Sequence, residues 1–150
     1  MTWENAIPLE DPRVAQLRSA AIYASEVSFD RKADYLVKGW LGSEAVSVVY
    51  GDSNCGKSFF GLDMSAHVAS GQPWMGHNVR KGKVLYLACE GGMKSYSPRI
   101  EAIRNAKSDL YDAGMADHFL LLPTPVDLHG DKDVDAISAA LPDLNFSLIV

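Results

Sequence analysis

The residues with the clearest chemical potential lie in one short stretch bounded by two glycines: Gly51, Asp52, Ser53, Asn54, Cys55, Gly56, Lys57 and Ser58. The stretch fits the pattern G-x-x-x-x-G-K-[ST], the phosphate-binding P-loop. In such a loop backbone N–H groups surround a phosphate, the lysine reaches the β- and γ-phosphates, and the hydroxyl binds Mg²⁺. These roles fall on the loop backbone, Lys57 and Ser58, with Phe59 as the last residue of the binding segment. The spacing therefore predicts a site for ATP with Mg²⁺.

The residues on either side of the loop predict the elements that hold it in place. Residues 45–50 (AVSVVY) are β-branched and apolar enough for a buried parallel strand. Residues 58–69 place apolar side chains at helical spacing, and Gly71 provides a stop. A strand, a glycine loop and a helix in this order direct backbone N–H groups at a phosphate, where the helix dipole also favours an anion.

A second chemical group follows another apolar run. Residues 84–89 (VLYLAC) predict a buried strand that ends on Glu90, Gly91 and Gly92. A charged residue at the carboxyl end of a strand, followed by two glycines, occupies the place where open α/β sheets bind ligands.

The remaining pattern alternates helices and strands. Helices are predicted from Asp11 to about Ser25, from Ser97 to Lys107 and over 131–141; strands are predicted over 118–122 and 145–150. This alternation predicts an α/β fold with a mostly parallel sheet flanked by helices. We divide the chain into an N-terminal accessory helical segment, 1–34, and a core, 35–150.

Composition limits the classes of protein to which the chain could belong. Apolar residues make up 47% and charged residues 22%, as in an ordinary globular protein, and no run of 18 apolar residues predicts a membrane span. The net charge of −5 argues against a broad basic nucleic-acid surface in these residues. Two cysteines are too few for a disulfide framework, which favours the cytoplasm. The four histidines show no metal-ligand spacing.

Three features together resemble RecA-like ATPases of the plasmid RepA replicative-helicase type. They are the P-loop, the Gly71-Gln72-Pro73-Trp74-x-Gly76 connection, and the run from Lys81 to Leu87 that leads into Glu90 and Gly91. The resemblance covers about 35–150. It implies that Glu90 polarises the water attacking the γ-phosphate, with Lys57 as the other catalytic residue. A carboxylate that orients the nucleophile suits in-line phosphoryl transfer. It also implies a homo-oligomer, a hexamer, that contacts DNA through segments absent from this chain.

The resemblance further implies an acidic Walker B residue at the end of the strand that starts at Phe146, which would fall just past Val150. The chain would then hold about the first half of such a motor, and hydrolysis by it would be weak. In the resembled fold, one further strand lies between the P-loop strand, 45–50, and the Walker B strand, and that strand would be missing here. Either the sheet has a gap at this place, or the final strand, 145–150, pairs directly with 45–50. We expect the direct pairing in a relaxed chain.

Two other functions stay open at this point. The chain could be a nucleotide-binding module without turnover, because the Walker B carboxylate is missing, or a small-molecule kinase that shares the P-loop. A kinase predicts an arginine-rich lid over the phosphates, and the sequence shows no such cluster. Arg99 and Arg104 follow Glu90 at helical spacing and could contact a neighbouring subunit or a phosphate. We interpret both as a solvated helix face.

Overall fold

A computed structural model describes residues 11–26, 34–141 and 145–150. Contacts divide the chain into two units, Met1–Ala33 and Asp34–Val150. In the first unit, helix α1 (Pro12–Ala20) begins after Asp11, whose carboxylate accepts a hydrogen bond from the Arg13 N–H. The helix was expected to reach about Ser25, but it ends at Ala20, and a short 3₁₀ turn follows at Ala24–Glu26. No residue of α1 is buried, so packing does not extend it.

The second unit begins with an antiparallel hairpin of β1 (Tyr35–Val37) and β2 (Leu41–Gly42). Its turn carries Trp40, whose ring lies edge-on to that of Trp74, with 5.1 Å between centroids.

A parallel sheet of three strands forms the centre of the second unit. Strand β3 (Lys83–Leu87) lies between β4 (Phe119–Leu122) and β5 (Phe146–Ile149), and both neighbours run parallel to it. Leu85 is opposite Leu120 on one side and Ile149 on the other. The expectation that these three strands pair with each other is therefore met.

Helices connect the strands. They are α2 (Lys57–Ser70), α3 (Gly92–Ala106), the short α4 (Ser108–Leu110), a π-helical turn (Tyr111–Met115), the short α5 (Ala116–His118) and α6 (Asp131–Ala140). Helix α3 begins earlier than the sequence indicated. Pro98, which was expected to open the helix, lies inside it. None of the described helices is long and apolar enough to cross a lipid bilayer.

The core lies between α2 and β3. Among its most buried side chains are Leu62 and Val68 of α2, Val84 and Leu85 of β3, and Trp74. The P-loop helix is thus fixed to the central strand along its length, and this contact positions the site.

The predicted strand over 45–50 is absent from the structure. These six residues form no regular element, and Val46 and Tyr50 are 95% and 90% exposed. No backbone hydrogen bond joins 45–50 to any other described residue. The expected pairing of the final strand with 45–50 is also wrong, because β5 pairs with β3 alone and no backbone hydrogen bond joins it to 45–50. A β-branched sequence does not hold a strand without a neighbouring ladder, which is the physical reason that 45–50 forms no strand.

Candidate functional site

The P-loop, residues 51–58, turns sharply before entering α2. Asn54 and Gly56 adopt left-handed backbone conformations, with φ of 63° and 92°. Gly56 is the N-cap of α2, and nothing lies within 4 Å of the position that a Cβ on it would occupy. The loop therefore presents an open face at the N-terminus of a 14-residue helix, a location where the helix dipole and free N–H groups favour an anion.

The side chain of Lys57 folds back over this loop. Its Nζ donates hydrogen bonds to the carbonyl oxygens of Gly51 at 2.9 Å and Asp52 at 2.7 Å, and lies 3.8 Å from Cys55 Sγ. The curved loop thus holds the positive charge of Lys57 at its centre. The charge is bound by neutral carbonyl groups, which a phosphate oxygen can replace with a stronger, charge-assisted bond.

Ser58 and Phe59 occupy the first turn of α2, and both are exposed. Mg²⁺ commonly takes few protein ligands and completes its octahedron with water and substrate phosphates. An exposed hydroxyl beside the open loop face fits that requirement. Across the described residues there is no group of three or more His, Cys, Asp or Glu side chains that could hold a metal by itself.

Strand β3 ends at Leu87 rather than at the predicted Cys89, and Glu90 lies in the turn that follows, where it is exposed. Gly91 and Gly92 have positive φ values of 74° and 50°, and α3 begins at Gly92. The two glycines allow the chain to reverse from strand to helix immediately behind the carboxylate. Within the described ranges, the Glu90 carboxylate has neither an ion pair nor a hydrogen bond.

The turn that follows β3 and the first turn of α2 are joined by shared packing. The Tyr86 hydroxyl lies 3.5 Å from the Ser58 carbonyl oxygen, and Leu62 packs in one cluster with Tyr86, Ala88 and Tyr96. The structure thus brings together the elements that carry Lys57, Ser58 and Glu90. It does not bring residues 45–50 into this assembly.

A model of the AAA domain family matches residues 12–150. The chain belongs to the AAA domain family. AAA domains are nucleotide-binding ATPase domains, so the family implies ATP binding, typically with Mg²⁺. No curated protein matches the chain.

The interpretation of Arg99 as part of a solvated helix face is wrong, because this arginine packs beside the P-loop of the AAA domain. The guanidinium of Arg99 stands over the ring of Phe59, 4.6 Å from its centroid, and 5.1 Å from the centroid of Tyr96. The residue is half-buried rather than solvated. Arg104 instead meets the expectation of a solvated helix face, since it is exposed and lies 3.6 Å from Glu101. The only available signal was the i,i+3 spacing of Tyr96 and Arg99, which places them on one helix face.

Tyr86 packs against the aromatic residues next to Arg99 in this AAA domain. Its ring stacks on Phe119 at 5.7 Å and lies 5.3 Å from Tyr96. Burial is the main cause that raises the pKa of the Tyr86 hydroxyl far above its ordinary value, and a hydrogen bond with Tyr96 adds to the effect. The hydroxyl therefore stays neutral and can act as a hydrogen-bond donor beneath Ser58.

Proposed function

We propose that this AAA domain binds Mg²⁺·ATP through residues 51–59 and hydrolyses ATP as part of a RecA-like ATPase of the plasmid RepA replicative-helicase type. The observation that carries the proposal is the position of the Lys57 ammonium, 2.7–2.9 Å from two carbonyl oxygens of the P-loop. A cation held inside an open glycine loop at a helix N-terminus suits a triphosphate.

The binding step follows from these contacts. The loop N–H groups and the N-terminal dipole of α2 attract the phosphates, and Lys57 exchanges its bonds to Gly51 and Asp52 for bonds to phosphate oxygens. The exposed Ser58 hydroxyl is the residue that would hold Mg²⁺. When bound, Mg²⁺ neutralises charge that develops on the phosphate oxygens.

The hydrolytic step is assigned to Glu90. Its exposed carboxylate, at the carboxyl end of the central strand, accepts a hydrogen bond from the attacking water and orients it towards the phosphate. The two left-handed glycines that follow it allow the chain to turn directly into α3.

The resemblance also supports a wider role. We propose a homo-oligomer, a hexamer, that acts on DNA in replication through contacts outside these 150 residues. In a protein extended to include those contacts, a rise in ATP hydrolysis on addition of single-stranded DNA, together with a hexameric mass in sedimentation, is the expected result. A monomer whose turnover ignores DNA would contradict this wider role and leave the ATP site untouched.

The first test of the ATP site replaces Lys57. Lys57→Ala removes a charge-assisted hydrogen bond worth about 1.5–3 kcal/mol, so ATP affinity should fall roughly 10- to 150-fold. Isothermal titration calorimetry measures the difference. The matched control is Lys132→Ala, which removes an exposed lysine of α6 and should bind like the parent chain. Equal affinity in Lys57→Ala and the parent would refute the P-loop assignment.

The second test replaces Glu90. The variant is made in a protein extended past Val150 through the proposed Walker B strand, because weak hydrolysis is expected without that strand. Glu90→Gln keeps the shape of the side chain but removes the base, so ATP should still bind while single-turnover hydrolysis becomes far slower. Glu101→Gln, an exposed carboxylate on α3, is the control and should hydrolyse ATP at the rate of the unsubstituted extended protein. Unchanged hydrolysis by Glu90→Gln would exclude Glu90 as the base. Tight binding with no hydrolysis by the unsubstituted extended protein would favour a binding module without turnover.

A further inference from the structure

Arg99 lacks the partners that a half-buried arginine ordinarily has. Within the described part of the chain, no carboxylate oxygen lies within 4.0 Å of its guanidinium, and it donates no hydrogen bond. Its close contacts are the rings of Phe59 and Tyr96, at 4.6 Å and 5.1 Å. A guanidinium over an aromatic face is attracted by the ring quadrupole, and more strongly where water is partly excluded.

The same helix offers an internal comparison. Arg104 also stands over a ring, that of Tyr111 at 5.4 Å, but it pairs with Glu101 and its side chain is 58% exposed. Tyr111 belongs to the π-helical turn, away from the P-loop in sequence. Arg99 and Arg104 therefore make the same kind of contact, but only Arg99 makes it with the P-loop helix.

The contact of Arg99 joins the two turns that carry the proposed chemistry. Phe59 directly follows Ser58 in the first turn of α2. Helix α3, which carries Arg99, begins two residues after Glu90. Stacking of Arg99 on Phe59 thus bridges the helix that follows Glu90 and the helix that follows the P-loop.

We propose that Arg99 is a positioning residue: by stacking on Phe59, it keeps the Glu90 turn at a fixed distance from the P-loop. The proposal rests on the proposed function for its catalytic meaning, since Glu90 and Lys57 are assigned there. The contact itself can be tested without nucleotide, so the two ideas can fail separately.

The chain's own cysteines provide the test. The sequence contains two, Cys55 in the P-loop and Cys89 beside Glu90, and both are exposed. Nitroxide labels on them report the distance between the two turns by electron paramagnetic resonance in the nucleotide-free protein. The parent chain should give one narrow distance distribution.

Arg99→Gln should broaden this distribution and add a longer component. Because Phe59 is 61% exposed, loss of the contact should change the ratio of molecules with the two turns in contact to molecules with them apart roughly 2- to 5-fold. Phe59→Leu removes the contact from the other side and should broaden the distribution equally, and the double variant should add nothing further. Arg104→Gln, the matched control, should leave it narrow. Arg99→Lys, which keeps the charge but loses the planar face, should give an intermediate width.

Three results would overturn the proposal. The first is an unchanged distribution in Arg99→Gln with the helical circular dichroism of the parent. The second is equal broadening in Arg104→Gln, which would indicate general loosening of α3. The third is an unchanged distribution together with weaker ATP binding, which would make Arg99 a ligand contact rather than a positioning residue.

Discussion

The residues on the two sides of the P-loop differ sharply in how the structure holds them. Helix α2, which follows the loop, buries Leu62, Met64, Ala66, Val68 and Ala69 against the rest of the unit. The preceding segment, 45–50, exposes every one of its residues although half of them are valine. Both segments are apolar, so hydrophobicity alone does not explain the difference.

The difference lies in where each segment finds partners for its backbone. A helix satisfies its interior N–H and C=O groups within itself, and Gly71 closes α2 by donating its N–H to the His67 carbonyl at 2.8 Å. A strand depends on a neighbour for the same groups. The P-loop is therefore held in place mainly by α2, the helix that follows it.

Amide hydrogen exchange should give the largest contrast between the two sides. Amides in the middle of β3, such as that of the buried Leu85 between β4 and β5, should exchange only through global unfolding, which costs about 5–15 kcal/mol. Their exchange should be slowed on the order of 10³-fold or more relative to the amides of 45–50. Strong protection of the 45–50 amides from exchange would show that this segment joins a sheet in solution. The two sides of the P-loop would then not differ.

A pair of truncations should give the next largest effect. Leu62→Ala removes a side chain that is 2% exposed and should lower the free energy of unfolding by about 2–5 kcal/mol. Val48→Ala truncates a side chain that is 78% exposed and should change it by no more than about 0.5 kcal/mol. Urea denaturation monitored by circular dichroism measures both. Equal losses in the two variants would mean that 45–50 is packed as firmly as α2.

A smaller effect is expected at Asp63, which ties α2 to two other segments. Its carboxylate accepts hydrogen bonds from Trp74 Nε1 at 2.9 Å and Lys107 Nζ at 2.7 Å. Burial by itself would raise the pKa of Asp63, but the bonds from Lys107 and Trp74 and the nearby charges outweigh it, so the pKa lies below its ordinary value of 3.8. The stabilisation is therefore complete above pH 3.8 and is lost as the pH falls through the lower folded-state value.

Asp63→Asn should accordingly lower the free energy of unfolding by about 1 kcal/mol at neutral pH. This is the value of a hydrogen-bonded charge pair, reduced because the pair is partly exposed. The difference in the free energy of unfolding between Asp63→Asn and the parent chain should become smaller as the pH drops below 3.8. Urea denaturation at a series of pH values tests this, with Asp135→Asn, an exposed carboxylate of α6, as the control. A gap that stays constant with pH would exclude the ionised carboxylate as the source of the stability.

The sequence predicted best what is decided locally. The limits of α2 follow from glycine at each end, and the three strands of the sheet follow from apolar runs, of which only β3 is buried in the structure. The prediction failed at 45–50, where a correct local pattern lacked a partner strand. It also placed the start of α3 too late, because Pro98 resembles a first-turn residue although the helix already begins at Gly92.

The candidate site likewise has a part that local sequence predicted and a part that depends on the fold. Residues 51–58 and Glu90 were found from motif and position, since glycine, lysine, hydroxyl and carboxylate groups have recognisable spacing. The contacts of Arg99 with Phe59 and of Tyr86 with Ser58 join elements that are distant in sequence. No local pattern indicates which ring a helical arginine will meet, so these contacts needed the fold.

The position of β3 at the centre of the sheet also has a consequence for folding. Its two neighbours both come from later in the chain, and β5 follows both α3 and α6. Closing such long loops has an entropic cost before the parallel pairing compensates for it, so sheets of this kind form slowly. During synthesis β3 emerges with both of its edges unpaired and gains its second neighbour only when β5 appears. Until then, the unpaired edge of this apolar strand favours aggregation of the nascent chain.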